Sequence, residues 1–520
     1  MKKFRVILAL VLIVALVAPL GAFANEFKWA TFSDPIDFNP ALAKDSASSD
    51  VNGMMFEGLY TRDWSAKIIP NLASAMPKIS ADNKTLTIPL RKGVKWHDGK
   101  EFTSADVKFS IEFILNKSAN SPRIANFELV DSVQTPDPYT VVLKMKSVDS
   151  AIIPTLANAY FIPKHIWEKV DAVKARESEY NKTKPVGMGP YKFASYNRAE
   201  RVVLEANPSY FGQKAKIKTL VYTITPSQAT AMVKVETGEA HMVQVPESDI
   251  ARMQKISKVN TTVYDRVVFD CILYNIKSPF FSDLRVRQAI SHAVNKEFIV
   301  KGIYKGYGSV ANGSYHPKLA VFNPNTPVYK YDVAKAKQLL DAAGWKVGAG
   351  GIRVKDGKQF KFVLLTNKGN IMREKLIVEV QRQLKPLGIS VEPRILEWNT
   401  FLAKYVDVGK FDAYVGGFST GLDGDQTVFY HSDKAKASMN KGSYANPEVD
   451  KLLEDARATL DLNKQKQLYG KLQEIVAKEV PMTFLVYRKQ ALAVSKNVKN
   501  VRIVDLLGFN TGFPTWELTN

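Results

Sequence analysis

The chain has 520 residues, with 72 Lys and Arg against 51 Asp and Glu and a formal net charge of +21. This length allows about three domains, and the single cysteine, Cys271, excludes an internal disulfide, so the core alone must stabilise the fold. The basic residues are scattered without a run of five or six, which favours a solvated surface over nucleic-acid binding. Attraction to an acidic envelope surface remains the alternative.

The N-terminus has the three-part pattern of a secretory signal peptide. Lys2, Lys3 and Arg5 precede an uninterrupted apolar run, Val6–Ala18, and the stretch closes with Ala22-Phe23-Ala24. The run has 13 residues, fewer than the ~20 that a membrane-spanning helix needs, which argues against an uncleaved anchor. We predict cleavage after Ala24. No cysteine lies near this site, so a lipoprotein is not expected.

A strand, a turn and a capped helix are predicted within the stretch 86–115. Apolar and polar residues alternate from Leu86 to Leu90, as in a half-buried strand, and Pro89 predicts a sheet edge. Asp98-Gly99 has the chemistry of a tight turn. Thr103 or Ser104 then offers a cap for a helix with an apolar stripe.

Further elements follow in the second half of the chain. Asp332 is expected to cap a helix that ends at Gly344, and a helix 372–387 lies between two predicted strands, 360–364 and 390–395. A helix between two strands predicts a βαβ crossover and therefore a parallel pair. The remaining predicted elements are helices at 227–238, 283–300, 449–460 and 468–476, and strands at 139–145, 217–224, 411–415, 484–487 and 501–504.

The chemistry of an enzyme is not visible in the sequence. There is no G-x-S-x-G elbow, and the stretch Gly351–Lys358 fails the spacing of a phosphate-binding loop. The six histidines are dispersed, and Cys271 has apolar neighbours that favour a buried hydrophobic role. We therefore expect no catalytic residue, no cofactor and no bound metal. An exported hydrolase, built from residues distant in sequence, is the alternative class.

The order of residues in several stretches is more specific than their patterns. L-R-K-G-V-K-W-H-D-G-K-E-F-T-S-A-D-V-K-F-S begins at Leu90, and FEGLY, PVGMGPYKF, NPSYFG, DLRVRQAISHAVNKEFIV and DVAKAKQLLDAAGW lie at 56–60, 185–193, 207–212, 283–300 and 332–345. Together these stretches resemble the family 5 extracellular solute-binding proteins, the peptide, nickel and oligosaccharide receptors of bacterial ABC importers. The resemblance implies an α/β fold of the periplasmic-binding-protein type, with two lobes joined by hinge strands and an extra subdomain on the first lobe (cluster C type).

The resemblance also implies a division of the chain. The expected parts are a signal peptide (1–24), a first segment of lobe I (25–61), the extra subdomain (62–184), a second segment of lobe I (185–270), lobe II (271–489) and a C-terminal segment of lobe I (490–520).

The function implied by the resemblance is that of a receptor. A monomeric periplasmic protein would capture an oligopeptide or dipeptide between the lobes and deliver it to the transmembrane subunits of an ABC permease. An oligosaccharide or a nickel chelate is the alternative solute. A chaperone or chemoreceptor adaptor would use the same fold without transport. Nucleic acid is not an expected partner, and no integral membrane segment is expected after signal cleavage.

The resemblance implies ligand-binding candidates. Trp398 and Phe418 are candidates for stacking on the ligand, with core packing as the alternative, and Asp423 and Asp425 either contact the ligand or form Asx-turns. Tyr274, at the end of a strand that crosses into the second lobe, is a further candidate. The stretch FKWATFSDPIDFNPA, from Phe27, opens with an alternating strand and passes into a polar loop with Asp34-Pro35 and Asn39-Pro40. The resemblance implies that this loop lies under the ligand cleft.

One departure from the family pattern concerns the ends of a peptide. In dipeptide-binding relatives an aspartate holds the ligand's ammonium group and an arginine holds its carboxylate. At these positions our alignment places Leu422 and Asn367, with Asp423 and Lys368 adjacent. Loss of both charges would remove the ion pairs that select free peptide ends. We therefore expect a longer peptide bound through its backbone, a sugar, or another polar solute, with Asn367 among the contacts.

Overall fold

The computed structural model describes residues 26–434 and 436–519, so the predicted signal peptide lies outside the described residues. A mixed sheet of 11 strands dominates the fold. Ten of its strands follow one another in space in the order Ser390–Leu396, Lys361–Asn367, Ala413–Ser419, Val259–Tyr274, Met482–Ser495, Met242–Val245, Glu26–Thr31, Thr219–Ile224, Arg201–Ala206 and Tyr191–Asn197. Gly308–Val310 pairs with Met482–Ser495 away from this path.

Two long antiparallel strands, Val259–Tyr274 and Met482–Ser495, join the two halves of this sheet; we call them the crossing strands. Their ladder is irregular between Asp265 and Phe269. Beyond one crossing strand lie the strands of lobe I, from Met242–Val245 to Tyr191–Asn197, and beyond the other lie those of lobe II, from Ala413–Ser419 to Ser390–Leu396. The molecule therefore has two lobes connected by continuous strands, as the resemblance implied.

The predicted parallel crossover in lobe II is confirmed. Lys361–Asn367 and Ser390–Leu396 pair in parallel, and the helix Ile371–Leu384 connects them. Asn370 caps this helix, since its side chain accepts a hydrogen bond of 3.1 Å from the Arg373 amide. The buried side of the helix packs into the lobe II core, which also contains the rings of Phe360 and Phe362. This cap fixes the position of Arg373 in the first turn.

A separate four-stranded sheet forms the extra subdomain, in the order Lys78–Ile79, Thr85–Pro89, Thr140–Met145 and Val130–Asp137. With the helix Ser104–Leu115 it encloses a core of its own. The helix begins after Thr103, one of the two expected caps, and Thr103 and Asp106 form a capping box. The edge position inferred from Pro89 is wrong, because the strand is flanked on both sides; the short neighbour pairs only with Leu86 and Thr87 and leaves Pro89 beyond it.

The other helices connect these sheets. Those of seven residues or more are Ser46–Met55, Ile152–Asn158, Gln228–Thr237, Leu284–Ala293, Val333–Ala342, Pro447–Arg457 and Leu462–Glu479. Shorter ones are Ile124–Phe127, Lys164–Trp167, Glu179–Lys182, Ile250–Met253, Lys296–Phe298, Trp398–Phe401 and Thr427–Tyr430. Small sheets pair Tyr60–Arg62 with Ile68–Pro70, Val498–Lys499 with Glu517–Leu518, and Arg353–Lys355 with both Lys346–Val347 and Lys358–Gln359. In the described part of the chain, no helix combines the length and apolar character needed to cross a membrane.

Candidate ligand cavity between the lobes

A cavity of about 420 Å³ lies between the two lobes. Lobe I contributes the loop after its first strand, 31–33, and residues of the helix Ser46–Met55, including Asp50. Lobe II contributes residues 370–373 at the start of a helix and 417–419 at the end of a strand. Because both lobes and the crossing strands line it, a ligand here would contact each part that closure moves. Its volume falls in the range of ~300–1,000 Å³ usual for small-ligand sites.

A charge network forms the base of this cavity. Asp270, fully buried on a crossing strand, accepts a hydrogen bond of 2.5 Å from the Tyr304 hydroxyl and lies 3.4 Å from Arg373 Nε and 3.5 Å from Arg488 Nε. Arg488 Nε also donates to Glu247 Oε1 at 2.8 Å. The network therefore links lobe I, both crossing strands and lobe II, and it neutralises both arginines with protein carboxylates.

The pKa of Arg488 shows how strong this neutralisation is. Burial alone would lower its pKa, but the carboxylates of Glu247 and Asp270 raise it above the ordinary value. The guanidinium therefore stays charged in the wall of the cavity.

Other charged atoms facing the cavity have fewer partners. Burial raises the pKa of Asp50 to about 7, against the opposing charge of Arg266 and with a smaller contribution from Asp45. Arg266 Nη1 donates to the Leu507 carbonyl at 3.4 Å, while its buried Nε has no partner among the described residues. Glu247 Oε2 is likewise buried without a partner in the described part of the chain.

Phe418 is the predicted ligand residue that lines this cavity. Its ring also packs against Phe269, with centroids 5.8 Å apart, and edge-on against Phe429 at 5.4 Å. Phe418 therefore packs in the core and also borders the cavity, and its contact with a ligand stays a prediction.

The sequence of the chain matches the family "Bacterial extracellular solute-binding proteins, family 5 Middle" over residues 67–440. The chain belongs to this family. It is 32% identical to the oligopeptide-binding protein AppA of Bacillus subtilis over 91% of this chain and 88% of AppA.

Solved structures agree with this membership. The structure of AppA from Bacillus subtilis in complex with a nonapeptide superposes with a TM-score of 0.89 and 31% identity, covering 95% of this chain and 99% of AppA. NikZ from Campylobacter jejuni in complex with Ni(L-His) gives a TM-score of 0.86 and 29% identity, with coverages of 95% and 99%. The two-lobe fold is therefore shared with receptors of chemically different solutes.

Asp423 and Asp425 of this family 5 protein lie at another site, a cavity of about 250 Å³ between the subdomain and lobe II. Asp423 Oδ1 accepts from the Asp425 amide at 3.2 Å, and Asp425 Oδ1 accepts from the Thr427 amide at 2.9 Å, as in Asx-turns. Burial, followed by the charge of Asp425, raises the pKa of Asp423 to about 6. The loop structure predicted as the alternative is thus present.

The remaining predicted residues do not line the inter-lobe cavity. Trp398 begins a short helix, is 41% exposed and packs against Phe401. Asn367 Oδ1 accepts a hydrogen bond of 2.9 Å from Arg373 Nη1, so it positions an arginine that does line the cavity. Tyr274 is fully buried, with its hydroxyl 2.6 Å from Thr483 Oγ1 and its ring against Phe281. Its assignment to the ligand site is corrected to a core position, because neighbouring side chains enclose it.

The charged residues of the inter-lobe cavity were not predicted from the sequence. Asp270 and Arg488 each interrupt an apolar strand, and a charge in such a position requires a partner, which is a usable signal. Asp50 carries no such signal, since Ser48, Ser49 and Asn52 beside it are polar, and Arg266 directly follows another charged residue, Asp265. Asn367 occupies the position where dipeptide-binding relatives have an arginine. Arg373, six residues later, places an arginine in the same region of the chain.

Proposed function

We propose that this family 5 protein is the periplasmic substrate-binding component of an ABC importer, which captures a peptide between its lobes and delivers it to a membrane permease. Contacts with both lobes favour the closed arrangement, since only that arrangement makes all of them at once. In this proposal the chain is exported, loses residues 1–24, carries no lipid and acts as a monomer without a cofactor.

The open edge of the strand Ala413–Ser419 carries the proposal. On one side, the neighbouring strand Lys361–Asn367 pairs only with Ala413 and Tyr414, so the stretch 417–419 continues past it and lines the cavity. The Gly417 carbonyl there accepts a long hydrogen bond of 3.4 Å from Arg373 Nη2. An extended peptide can add to such an edge through main-chain hydrogen bonds.

The similarity to AppA supports a peptide over the other solutes. AppA, whose structure is described with a nonapeptide, is similar over nearly the whole of both chains. Backbone pairing suits a ligand longer than a dipeptide, since the affinity it provides does not depend on free peptide ends. Phe418 beside this edge offers an aromatic face for a peptide side chain.

The test begins with native mass spectrometry of the protein purified from a bacterium grown in rich medium, followed by thermal shift with defined panels. We expect a co-purifying peptide and a rise in Tm with peptides of three to nine residues. The same peptides with N-methyl groups at alternate backbone nitrogens should give a smaller rise, because they cannot complete a strand pairing. A rise produced only by oligosaccharides or by a nickel–histidine chelate would contradict the peptide proposal.

A further inference from the structure

The charged groups of the inter-lobe cavity fall into two sets, apart from Arg266, whose charge lies near Asp50 and whose buried Nε has no partner among the described residues. The first set is engaged within the protein: Arg373 and Arg488 lie against the buried Asp270, and Arg488 also binds Glu247 Oε1. The second set has acceptor atoms without a protein donor among the described residues. It comprises Glu247 Oε2, which is buried, and the half-buried carboxyl group of Asp50, which has no hydrogen bond among the described residues; both residues belong to lobe I.

Glu247 is the more constrained of the two acids. Only 1% of its surface is exposed, its Oε1 is engaged with Arg488, and its Oε2 is buried without a partner in the described part of the chain. A buried carboxylate oxygen without a donor costs stability unless something satisfies it. Because Glu247 lines the cavity, a group of the ligand is able to do so.

Asp50 is held in place by the backbone around it. Its helix, Ser46–Met55, is capped by Asp45, and the Tyr222 hydroxyl donates to the Asp50 carbonyl at 3.1 Å. These contacts fix the main chain and leave the carboxyl group at the cavity wall, where enclosure by protein raises its pKa. An acid in such a low-dielectric wall gains more from a nearby cation than one on an open surface.

We propose that the lobe I wall containing Asp50 and Glu247 binds a cationic nitrogen group of the captured peptide. The α-ammonium group and the side chain of a lysine or arginine share this chemistry. The inference rests on the proposed peptide function and adds a preference for ligands with a positive charge facing lobe I. It differs from the loop position of Asp423, which lies in the second cavity.

The experiment measures peptide affinity by isothermal titration with the full-length protein and its Asp50→Asn variant. Three probes separate the sources of the cation: a lysine-containing peptide with a free N-terminus, the same peptide N-acetylated, and an N-acetylated peptide with norleucine in place of lysine. Asp249→Asn is the control, because Asp249 is in lobe I, undergoes the same charge change and contacts Arg252 and Ser248 instead of the cavity.

We expect Asp50→Asn to weaken binding of the probes that retain the relevant cation by about 10- to 100-fold, the range for a lost charge-assisted hydrogen bond. The peptide without a cation should bind the parent and the variant equally, and Asp249→Asn should bind all probes as the parent does. Sensitivity to N-acetylation assigns the α-ammonium group, and sensitivity to norleucine assigns the side chain.

Two results would overturn the inference in different ways. If the parent binds the peptides and Asp50→Asn binds them equally well, or loses affinity for the uncharged peptide to the same extent, the cation site is wrong and the peptide function stands. If the parent binds no peptide at all, the proposed function fails and the cation site fails with it. Glu247→Gln provides a second measurement, with the same dependence on the cation expected.

Discussion

The side chain of Asp50, which we propose to bind the ligand, lowers the stability of the ligand-free protein when it is ionised. Asp50 is half-buried at the cavity wall, and the charged neighbours of its carboxyl group are Arg266 and Asp45. The hydroxyls of Tyr160, Tyr222 and Tyr264 also face it. With a folded-state pKa of about 7 against an ordinary value of 3.8, the folded protein holds this proton more tightly than the unfolded chain. The contribution of this group to the free energy of unfolding is therefore full below pH 3.8 and is lost as the pH rises from there through about 7.

The direction of this pKa shift predicts the effect of replacing Asp50 by a neutral residue. Asp50→Asn should raise the Tm of the ligand-free protein at pH 8, where the parent has an ionised carboxylate at the cavity wall, and raise it by less at pH 5, where the folded parent still holds the proton that the unfolded chain has already lost. Scanning calorimetry at the two pH values measures this, with Asp249→Asn as the control. A variant that is less stable than the parent at pH 8 would show that the ionised carboxylate stabilises the fold.

At the residue scale, the sequence allowed some of the site to be predicted and hid the rest. The family resemblance pointed to Phe418, whose ring borders the cavity, and local sequence offered the Asx-turn of Asp423, which is observed. Asp50, Glu247 and Arg373 meet only because strands distant in sequence lie side by side. Tyr274 was chosen for its position at the end of a strand that crosses into the second lobe, and that position does not say which face of the strand meets the core, where the side chain is buried.

Gly417, on the strand Ala413–Ser419, leaves space for the charge network beside it. A side chain at this position would overlap Asp270 Oδ1 and the guanidinium of Arg373. We predict that Gly417→Ala lowers the free energy of unfolding by about 3 kcal/mol, because it displaces buried, paired charges, and that it also weakens peptide binding. Chemical denaturation measures the first effect and titration calorimetry the second.

The matched control for this substitution is Gly313→Ala. A Cβ atom at Gly313 meets no heavy atom within 4 Å, and its backbone does not require glycine. Equal losses of stability in the two variants would contradict the role assigned to Gly417.

The subdomain is attached to lobe II by another buried pair. Arg457, the last residue of the helix Pro447–Arg457, makes a two-pronged contact with Asp149, with distances of 3.1 Å from Nε and 2.9 Å from Nη2. Its Nη1 also lies 3.5 Å from Glu128. Both members of the main pair are buried, so neither charge has water as a replacement partner.

We predict that Asp149→Asn lowers the free energy of unfolding by about 3 kcal/mol, since it replaces the nearest counterion of a buried guanidinium by a neutral amide and leaves only the longer contacts, 3.5 Å to Glu128 and 3.7 Å to Asp425. The exposed pair Lys451 and Asp455 lies on the same helix. Asp455→Asn should therefore change stability by less than about 0.5 kcal/mol. Denaturation curves of the two variants make the comparison, and similar curves would show that the Arg457 contact contributes little.

Elements with a complete local signal were predictable. The helix after Asp332 begins with its expected cap, and the crossover in lobe II is parallel as its spacing indicated. The predicted helix 283–300 instead breaks after Ala293 and continues as a short helix and a π-helical turn, Ile299–Ile303. Among the described residues, the predicted strand 501–504 forms a single bridge, Val504 to Gly508, and no ladder.

The whole molecule is organised by two strands that belong to both lobes. Neither periodicity nor turn chemistry could reveal this, since the order of strands in the large sheet departs from their order in the chain. The family resemblance supplied the two-lobe plan, and the pairing of Val259–Tyr274 with Met482–Ser495 gives it a physical basis. The irregular ladder near Asp265 lies between the pairings on the two sides, which makes it the natural place for a hinge.

The central claim is that a peptide is captured between the lobes and draws them together. Double electron–electron resonance tests it directly, with spin labels at Val233→Cys in lobe I and Val378→Cys in lobe II, both on exposed helix faces. The native Cys271 is buried and should not react. A second pair, Val378→Cys with Val408→Cys, lies within lobe II and serves as the control.

We predict that a saturating peptide of three to nine residues shortens the inter-lobe distance and narrows its distribution, while the distance within lobe II stays the same. An inter-lobe distance that does not change when titration shows the peptide to be bound would contradict capture between the lobes.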